Sequence, residues 1–314
     1  MINKNTAAVD LSVTIAGVRL QNPVIAASGT FGYGREYAEI IDVSRLGGIC
    51  TKGLTLNPRP GNKGIRVWET PAGMLNSIGL ENPGIAAFLE KELPYMRKLG
   101  PAVIANLSGS TVEEYAQGAA LLNESDVDMI ELNISCPNVK AGGMTFGLDP
   151  QAAASVVKPV RGALTGKPLM VKLSPNAPDL TAVANACINS GADALSLVNT
   201  FKAMAIDIQA RRPVFDNLSA GLSGPAIKPI ALRMVWELCN TVNVPVVGLG
   251  GIACVDDALE FLLAGAAALQ VGSATFTHPN SMIEIIEGVE RYMISCGFSA
   301  VSEISLQVNS TNRP

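Results

Sequence analysis

Short, almost wholly apolar runs recur along the chain, and between them lie segments whose apolar positions repeat at helical spacing. Eight such runs span 23–28, 48–52, 102–107, 129–134, 169–173, 194–199, 244–248 and 267–272. Near-continuous apolarity is the mark of parallel strands covered on both faces. Eight β–α alternations predict a (β/α)8 TIM barrel, in one domain across 1–314. Two helix starts are legible between the runs. One falls at Asn82-Pro83, with Ile85, Phe88, Leu89 and Leu93 at helical spacing. The other falls at Ser110, with Glu113 three residues on in a capping-box pattern. Residues 11–20 have strand character around Ala16-Gly17 and are expected to form an N-terminal β-hairpin below the barrel.

Three connections, 55–79, 137–150 and 200–227, exceed an ordinary βα loop. All follow strands, so all project from one rim, the face where barrels of this kind carry their chemistry. The segment 137–150, with Gly142-Gly143 and Gly147, has the look of a lid.

The strand ends carry polar residues almost throughout: Ser28-Gly29, Lys52-Gly53, Asn106, Asn133, Lys172, Asn199-Thr200, Gly250-Gly251 and Gly272-Ser273. The richest stretch is Asn133-Ile134-Ser135-Cys136-Pro137-Asn138, where a thiol and two amides stand at the end of a strand. Alone, Cys136 reads equally as a buried structural thiol beside a turn. As part of the ring it reads as a reactive one. Glycines after strands seven and eight let backbone N–H groups approach a phosphate, where barrels often hold one. A phosphate site together with Lys52 and Lys172, the two cations at strand ends, suggests FMN.

Composition narrows the alternatives. The chain has 314 residues, 48% of them hydrophobic, and a net charge of −4. No basic stripe marks a nucleic-acid surface, and no apolar run is long enough for a membrane span. A signal-peptide pattern is absent from the first residues, so a cytoplasmic location is expected. The six cysteines, at 50, 136, 187, 239, 254 and 296, form no Cys-x-x-Cys pair, so no metal centre or iron–sulfur cluster is signalled. Cys50 and Cys187 read as small core residues. With one histidine, His278, a histidine base is not expected.

Several motifs, in order, resemble the dihydroorotate dehydrogenases, the class 1B catalytic subunits in particular. They are Asn22-Pro23-Val24-Ile25 with Ser28-Gly29-Thr30-Phe31-Gly32, Glu69-Thr70-Pro71-Ala72-Gly73-Met74-Leu75-Asn76-Ser77-Ile78-Gly79-Leu80, and Glu131-Leu132-Asn133-Ile134-Ser135-Cys136-Pro137-Asn138-Val139. Val171-Lys172-Leu173-Ser174-Pro175, Leu222-Ser223-Gly224-Pro225-Ala226, Gly250-Gly251-Ile252 and Val271-Gly272-Ser273 complete the series. The resemblance implies oxidation of (S)-dihydroorotate to orotate in de novo pyrimidine biosynthesis, with FMN as hydride acceptor and Cys136 as base. It implies substrate binding by Lys52, Asn76, Ser77, Ile78, Gly79, Leu80, Asn133, Asn138, Asn199 and Thr200. It implies FMN contacts from Ser28, Lys52, Gly53, Asn106, Asn133, Lys172, Val198, Gly224, Gly250, Gly251, Gly272 and Ser273.

A cysteine at the base position and the loop from Val139 to Gly147 resemble class 1B. That class implies a partner subunit carrying FAD and a [2Fe–2S] cluster, which relays electrons to NAD+, and a heterotetramer built on a homodimer. The alternative is a class 1A enzyme that reduces fumarate without a partner. Phe201-Lys202 and Asn217-Leu218-Ser219-Ala220 depart from the family pattern.

Overall fold

The computed structural model describes residues 9–135 and 146–305. Strands β1 (Val13–Ile15) and β2 (Val18–Leu20) pair antiparallel around Ala16-Gly17. Both turn residues have positive φ, as a tight two-residue hairpin requires. The chain continues through β3 (Val24–Ala26), β4 (Gly48–Cys50) and an excursion of β5 (Val67–Thr70) and β6 (Gly73–Asn76). Then come β7 (Ala102–Leu107), β8 (Met129–Asn133), β9 (Leu169–Lys172) and β10 (Ala194–Leu197). A second excursion holds β11 (Phe201–Ala203), β12 (Ile206–Asp207), β13 (Arg212–Pro213) and β14 (Ala220–Ser223), before β15 (Val246–Leu249) and β16 (Ala268–Val271).

Eight of these strands close a parallel barrel in the order β3-β4-β7-β8-β9-β10-β15-β16, and β16 pairs back onto β3. Each of the eight apolar runs supplies one strand, trimmed by a residue or more at most ends. Side chains alternate between two environments. Outward residues such as Val103, Ile130, Leu132, Val171, Leu195 and Leu269 pack in the large barrel–helix core. Inward residues at the lower level of the barrel, Ile25, Cys50, Ile104, Met129, Met170, Ala194, Val247 and Ala268, form a separate cluster. Ile15 and Leu20 of the hairpin belong to that same cluster, so the hairpin seals the barrel floor as its position suggested.

The helix starts differ from expectation by a step. The helical segment after Asn82 begins at Ile85, with Gly84 as its N-cap. Asn82 instead ties the preceding loop, its Oδ1 accepting from the N–H groups of Thr55 and Gly84. The next helix is capped by Thr111 and Glu114 rather than Ser110 and Glu113. Thr111 Oγ1 accepts from Glu114 N, and Glu114 Oε2 accepts from Ser110 N.

The connections 55–79 and 200–227 are not plain loops. Strands β11, β14, β6 and β5 form a four-stranded antiparallel sheet in that order, and β12 pairs with β13 beside it. Trp68 pairs with Leu75, and Leu75 with Leu222, so the two excursions are stitched together over the rim. Leu75, Val214, Phe215 and Ala220 form their own small core there. The family departures lie in or beside this sheet: Phe201-Lys202 opens β11, and Asn217-Leu218-Ser219 precede Ala220, which starts β14.

The floor plug yields a stability test. Truncating buried Ile15 to Ala should cost roughly 2–4 kcal/mol, read from urea melts. A loss below about 1 kcal/mol would mean that the hairpin does not close the floor.

Candidate active site

A cavity of about 460 Å³ opens at the C-terminal ends of the barrel strands, within the size range of small-molecule sites. Ser28 and Gly29 follow β3, Lys52 and Gly53 follow β4, and Asn133 and Lys172 end β8 and β9 on its wall. Val198, Asn199 and Thr200 enter after β10, Gly250 and Gly251 after β15, and Gly272 and Ser273 after β16. The excursions add Asn76, Ile78, Gly79, Leu80 and Gly224 from the other side. Apart from Asn106, the polar ring read from the sequence is therefore one surface, completed by segments far apart in the chain. A broader surface depression lined by Leu56, Leu89, Leu93 and Leu121 lies away from this rim and has no comparable convergence of polar groups.

Two expected residues stand off the wall. Ser77 is buried behind it, its Oγ accepting from the side-chain amides of Asn62 and Asn217. Asn106 is buried one step deeper in the barrel. Cys136, Asn138 and most of the segment 137–150 lie outside the described residues.

The amides at the rim are held in place. Asn133 Oδ1 accepts from Ser135 N at 3.2 Å, from Ser135 Oγ at 3.1 Å and from Asn199 Nδ2 at 3.4 Å. Its donor side is thus the one available to a ligand. Asn199 Nδ2 also donates to Ser135 Oγ at 2.7 Å, and its Oδ1 accepts from Thr200 N at 2.8 Å. Lys52 approaches Glu81 at 3.9 Å, while Arg66 binds the same carboxylate at 2.8 Å. Gly250 and Gly251 have φ of 124° and 80°, a region open to glycine at little cost. A Cβ on Gly251 would lie 2.8 Å from Lys228 N and 2.9 Å from Gly224 O, so only glycine lets these turns meet.

Beneath the cavity sits a residue that the sequence reading passed over. Glu131, taken as part of an apolar run, is fully buried inside the barrel. Its Oε1 lies 2.6 Å from Asn106 Nδ2, 3.2 Å from Cys50 Sγ and 3.6 Å from Lys172 Nζ. Its Oε2 accepts from Gln270 Nε2 at 2.6 Å and Ser196 Oγ at 2.9 Å. Burial opposes the charge, but the Lys172 ammonium and the donors Gln270, Cys50 and Ser196 outweigh it and hold the carboxyl below its ordinary value. Burial and the facing Glu131 charge push the Cys50 thiol well up, so Cys50 is a neutral S–H donor. Cys50 is thus more than the core residue expected, while Cys254 and Cys296 are exposed.

Gln270 and Ser196 were missed along with Glu131, yet a signal existed. Ile104/Asn106, Met129/Glu131, Met170/Lys172, Ala194/Ser196 and Ala268/Gln270 repeat one pattern at a spacing of two. In each pair an apolar floor residue is followed, on the same face, by a polar one. Chemically, the cavity offers two ammonium groups, several fixed amides, glycine-rich backbone and apolar side walls from Val198, Ile78, Leu249 and Ile252. That combination suits a flat, polar, anionic ring system.

The dihydroorotate dehydrogenase family model matches residues 10–293. A Petrotoga mobilis protein named dihydroorotate dehydrogenase B (NAD(+)), catalytic subunit, is 56% identical, covering 94% of this chain and 98% of its own. Proteins of the same name from Geotalea uraniireducens and Thermoanaerobacter pseudethanolicus are 54% and 53% identical. They cover 94% and 96% of this chain and 97% and 100% of their own.

The Glu131–Lys172 pair predicts a pH-dependent mutant phenotype. Lys172→Met leaves a buried carboxylate uncompensated and should destabilise the fold by ~3 kcal/mol at pH 7. In the wild type the depressed Glu131 pKa adds stability above its unfolded value and loses it as pH falls. In the variant the Lys172 charge no longer offsets burial, so the Glu131 pKa moves up from its wild-type position although the donors Gln270, Cys50 and Ser196 remain. Protonation then relieves part of the penalty, and the gap narrows toward pH 5. Equal destabilisation at pH 7 and pH 5 in denaturant melts would refute the pairing.

Proposed function

The chain belongs to the dihydroorotate dehydrogenase family, and we infer that it oxidises (S)-dihydroorotate to orotate for pyrimidine biosynthesis. The observation that carries this reading is the single cavity in which Lys52, Lys172, Asn76, Asn133 and Asn199 converge with the glycine turns after β15 and β16. Among the described residues, Asn106 Oδ1 and Gln270 Oε1 are buried without a hydrogen-bond partner. Unpaired buried acceptors beside a lysine fit a ring that brings its own N–H and carbonyl groups, as FMN does. Its phosphate would rest on the backbone of Gly250, Gly251, Gly272 and Ser273, with Ser28, Gly53, Val198 and Gly224 around the ring. Bound FMN supplies the acceptor for the hydride that leaves C6 of dihydroorotate.

The chain's own groups do the rest. Lys52 holds the substrate carboxylate, and the amides of Asn76, Asn133, Asn138 and Asn199, with Thr200, match the alternating N–H and C=O edge of the ring. Ile78, Gly79 and Leu80 close over it beside Ser77. Cys136 Sγ, as thiolate, takes the proton from C5; neighbouring cations lower a thiol's pKa toward the working range. Lys172, on the cavity wall, would hold its ammonium beside the ring, where it favours negative charge. Electrons then pass to a partner subunit with FAD and a [2Fe–2S] cluster and on to NAD+, in a heterotetramer built on a dimer of this chain. The chain is expected to act in the cytoplasm; no described helix is long and apolar enough to cross a membrane.

Anaerobic stopped-flow absorbance with (S)-dihydroorotate tests the reading. The purified yellow chain should bleach rapidly; a chain that binds FMN without bleaching refutes the substrate. Cys136→Ala should keep FMN and slow bleaching by about 10²–10⁴-fold, and an unchanged rate would remove Cys136 as the base. Reoxidation of the reduced chain by fumarate alone would overturn the partner-linked acceptor.

A further inference from the structure

Glu131 does not line the cavity, yet it touches a residue that does. Gln270 reaches the cavity wall and donates its Nε2 to Glu131 at 2.6 Å. A carboxylate only accepts hydrogen bonds. An ionised Glu131 therefore dictates which end of each neighbouring amide faces it: the NH2 end of Gln270 on one oxygen and of Asn106 on the other. The carbonyl ends must turn away. They are the two amide oxygens left buried without a partner among the described residues, Gln270 Oε1 and Asn106 Oδ1. The lowered pKa of Glu131 agrees with the charge this geometry requires.

We propose that Glu131 is a positioning residue that fixes Gln270 with its carbonyl toward the cavity, as the acceptor for the single ring N–H of oxidised FMN, at N3. The inference rests on the FMN reading of the cavity. Oxidised flavin has one N–H donor between two carbonyls, so an acceptor at this point selects the ring edge and its orientation. With a neutral amide in place of Glu131, its oxygen would stay on the Lys172 side and its NH2 would take the other position, against the donors Gln270 Nε2 and Ser196 Oγ. Its neighbour would have to rotate, and an NH2 group turned to the cavity would meet the ring N–H head-on.

The test uses the full-length chain carrying FMN labelled with 15N at N3, in the wild type, Glu131→Gln and Gln270→Met. The readouts are the proton resonance of N3–H and the FMN dissociation constant from flavin fluorescence. In the wild type the N3–H signal should lie downfield of free FMN. In both variants it should return toward the free value, and FMN should bind about 10- to 100-fold more weakly. A wild-type signal at the free position overturns the proposal, as does a folded, FMN-bound Glu131→Gln protein with an unmoved signal. If Glu131→Gln does not fold, Gln270→Met decides: it leaves the carboxylate in place, and an unmoved signal there overturns the proposal too. A purely structural role for Glu131 would lower stability without moving N3–H. A wild-type chain that binds no FMN defeats the cofactor reading itself, and this inference falls with it.

Discussion

One buried charge organises the upper half of this barrel. Removing a carboxylate from water costs several kcal/mol unless its lone pairs are met, and Glu131 meets that demand with donors from five other strands. Cys50 comes from β4, Asn106 from β7, Lys172 from β9, Ser196 from β10 and Gln270 from β16. No donor can move without leaving the carboxylate short. The same demand fixes which end of the Asn106 and Gln270 amides meets the carboxylate and keeps the Lys172 ammonium at the cavity wall. The wall groups are thus set before any ligand arrives, which is the condition for electrostatic complementarity without reorganisation.

The barrel separates its tasks by height. The lowest inward layer is apolar and continuous with the hairpin plug. One step along β7, β8, β9, β10 and β16 the inward layer turns polar around Glu131, and the last step is the cavity wall. The outer faces of the same strands stay apolar throughout, packed under the helices. A strand's two-residue period makes this possible, since successive residues report to different neighbours. Above the rim, β5, β6, β11 and β14 form a sheet that supplies Asn76 and brings Thr200 and Gly224 into the same wall. Two stretches that read as loops are therefore a built second wall.

The ring of polar residues at the strand ends was legible because each follows an apolar run directly. Lys52, Asn133, Lys172, Asn199 and the glycine pairs all reach the cavity. Glu131 was not legible in the same way. Its neighbours Ile130 and Leu132 face outward into the core, and their apolarity masked an inward polar face that only period-two reading reveals. The orientation of Ser77 was not legible either: it adjoins Asn76 in sequence, but its hydroxyl turns toward Asn62 and Asn217.

The sequence by itself determined the class of fold, the eight strands, the sealing hairpin and the chemistry gathered at the rim. These follow from local pattern: apolar periodicity, turn residues and the residue at each strand's end. What only the tertiary structure decided is which distant groups share an environment. The convergence of five strands on one carboxylate, the orientation of Gln270 and Asn106, and the joining of 67–76 with 201–223 into one sheet depend on barrel closure and register. Those are long-range constraints, and no window of sequence contains both partners of such a contact.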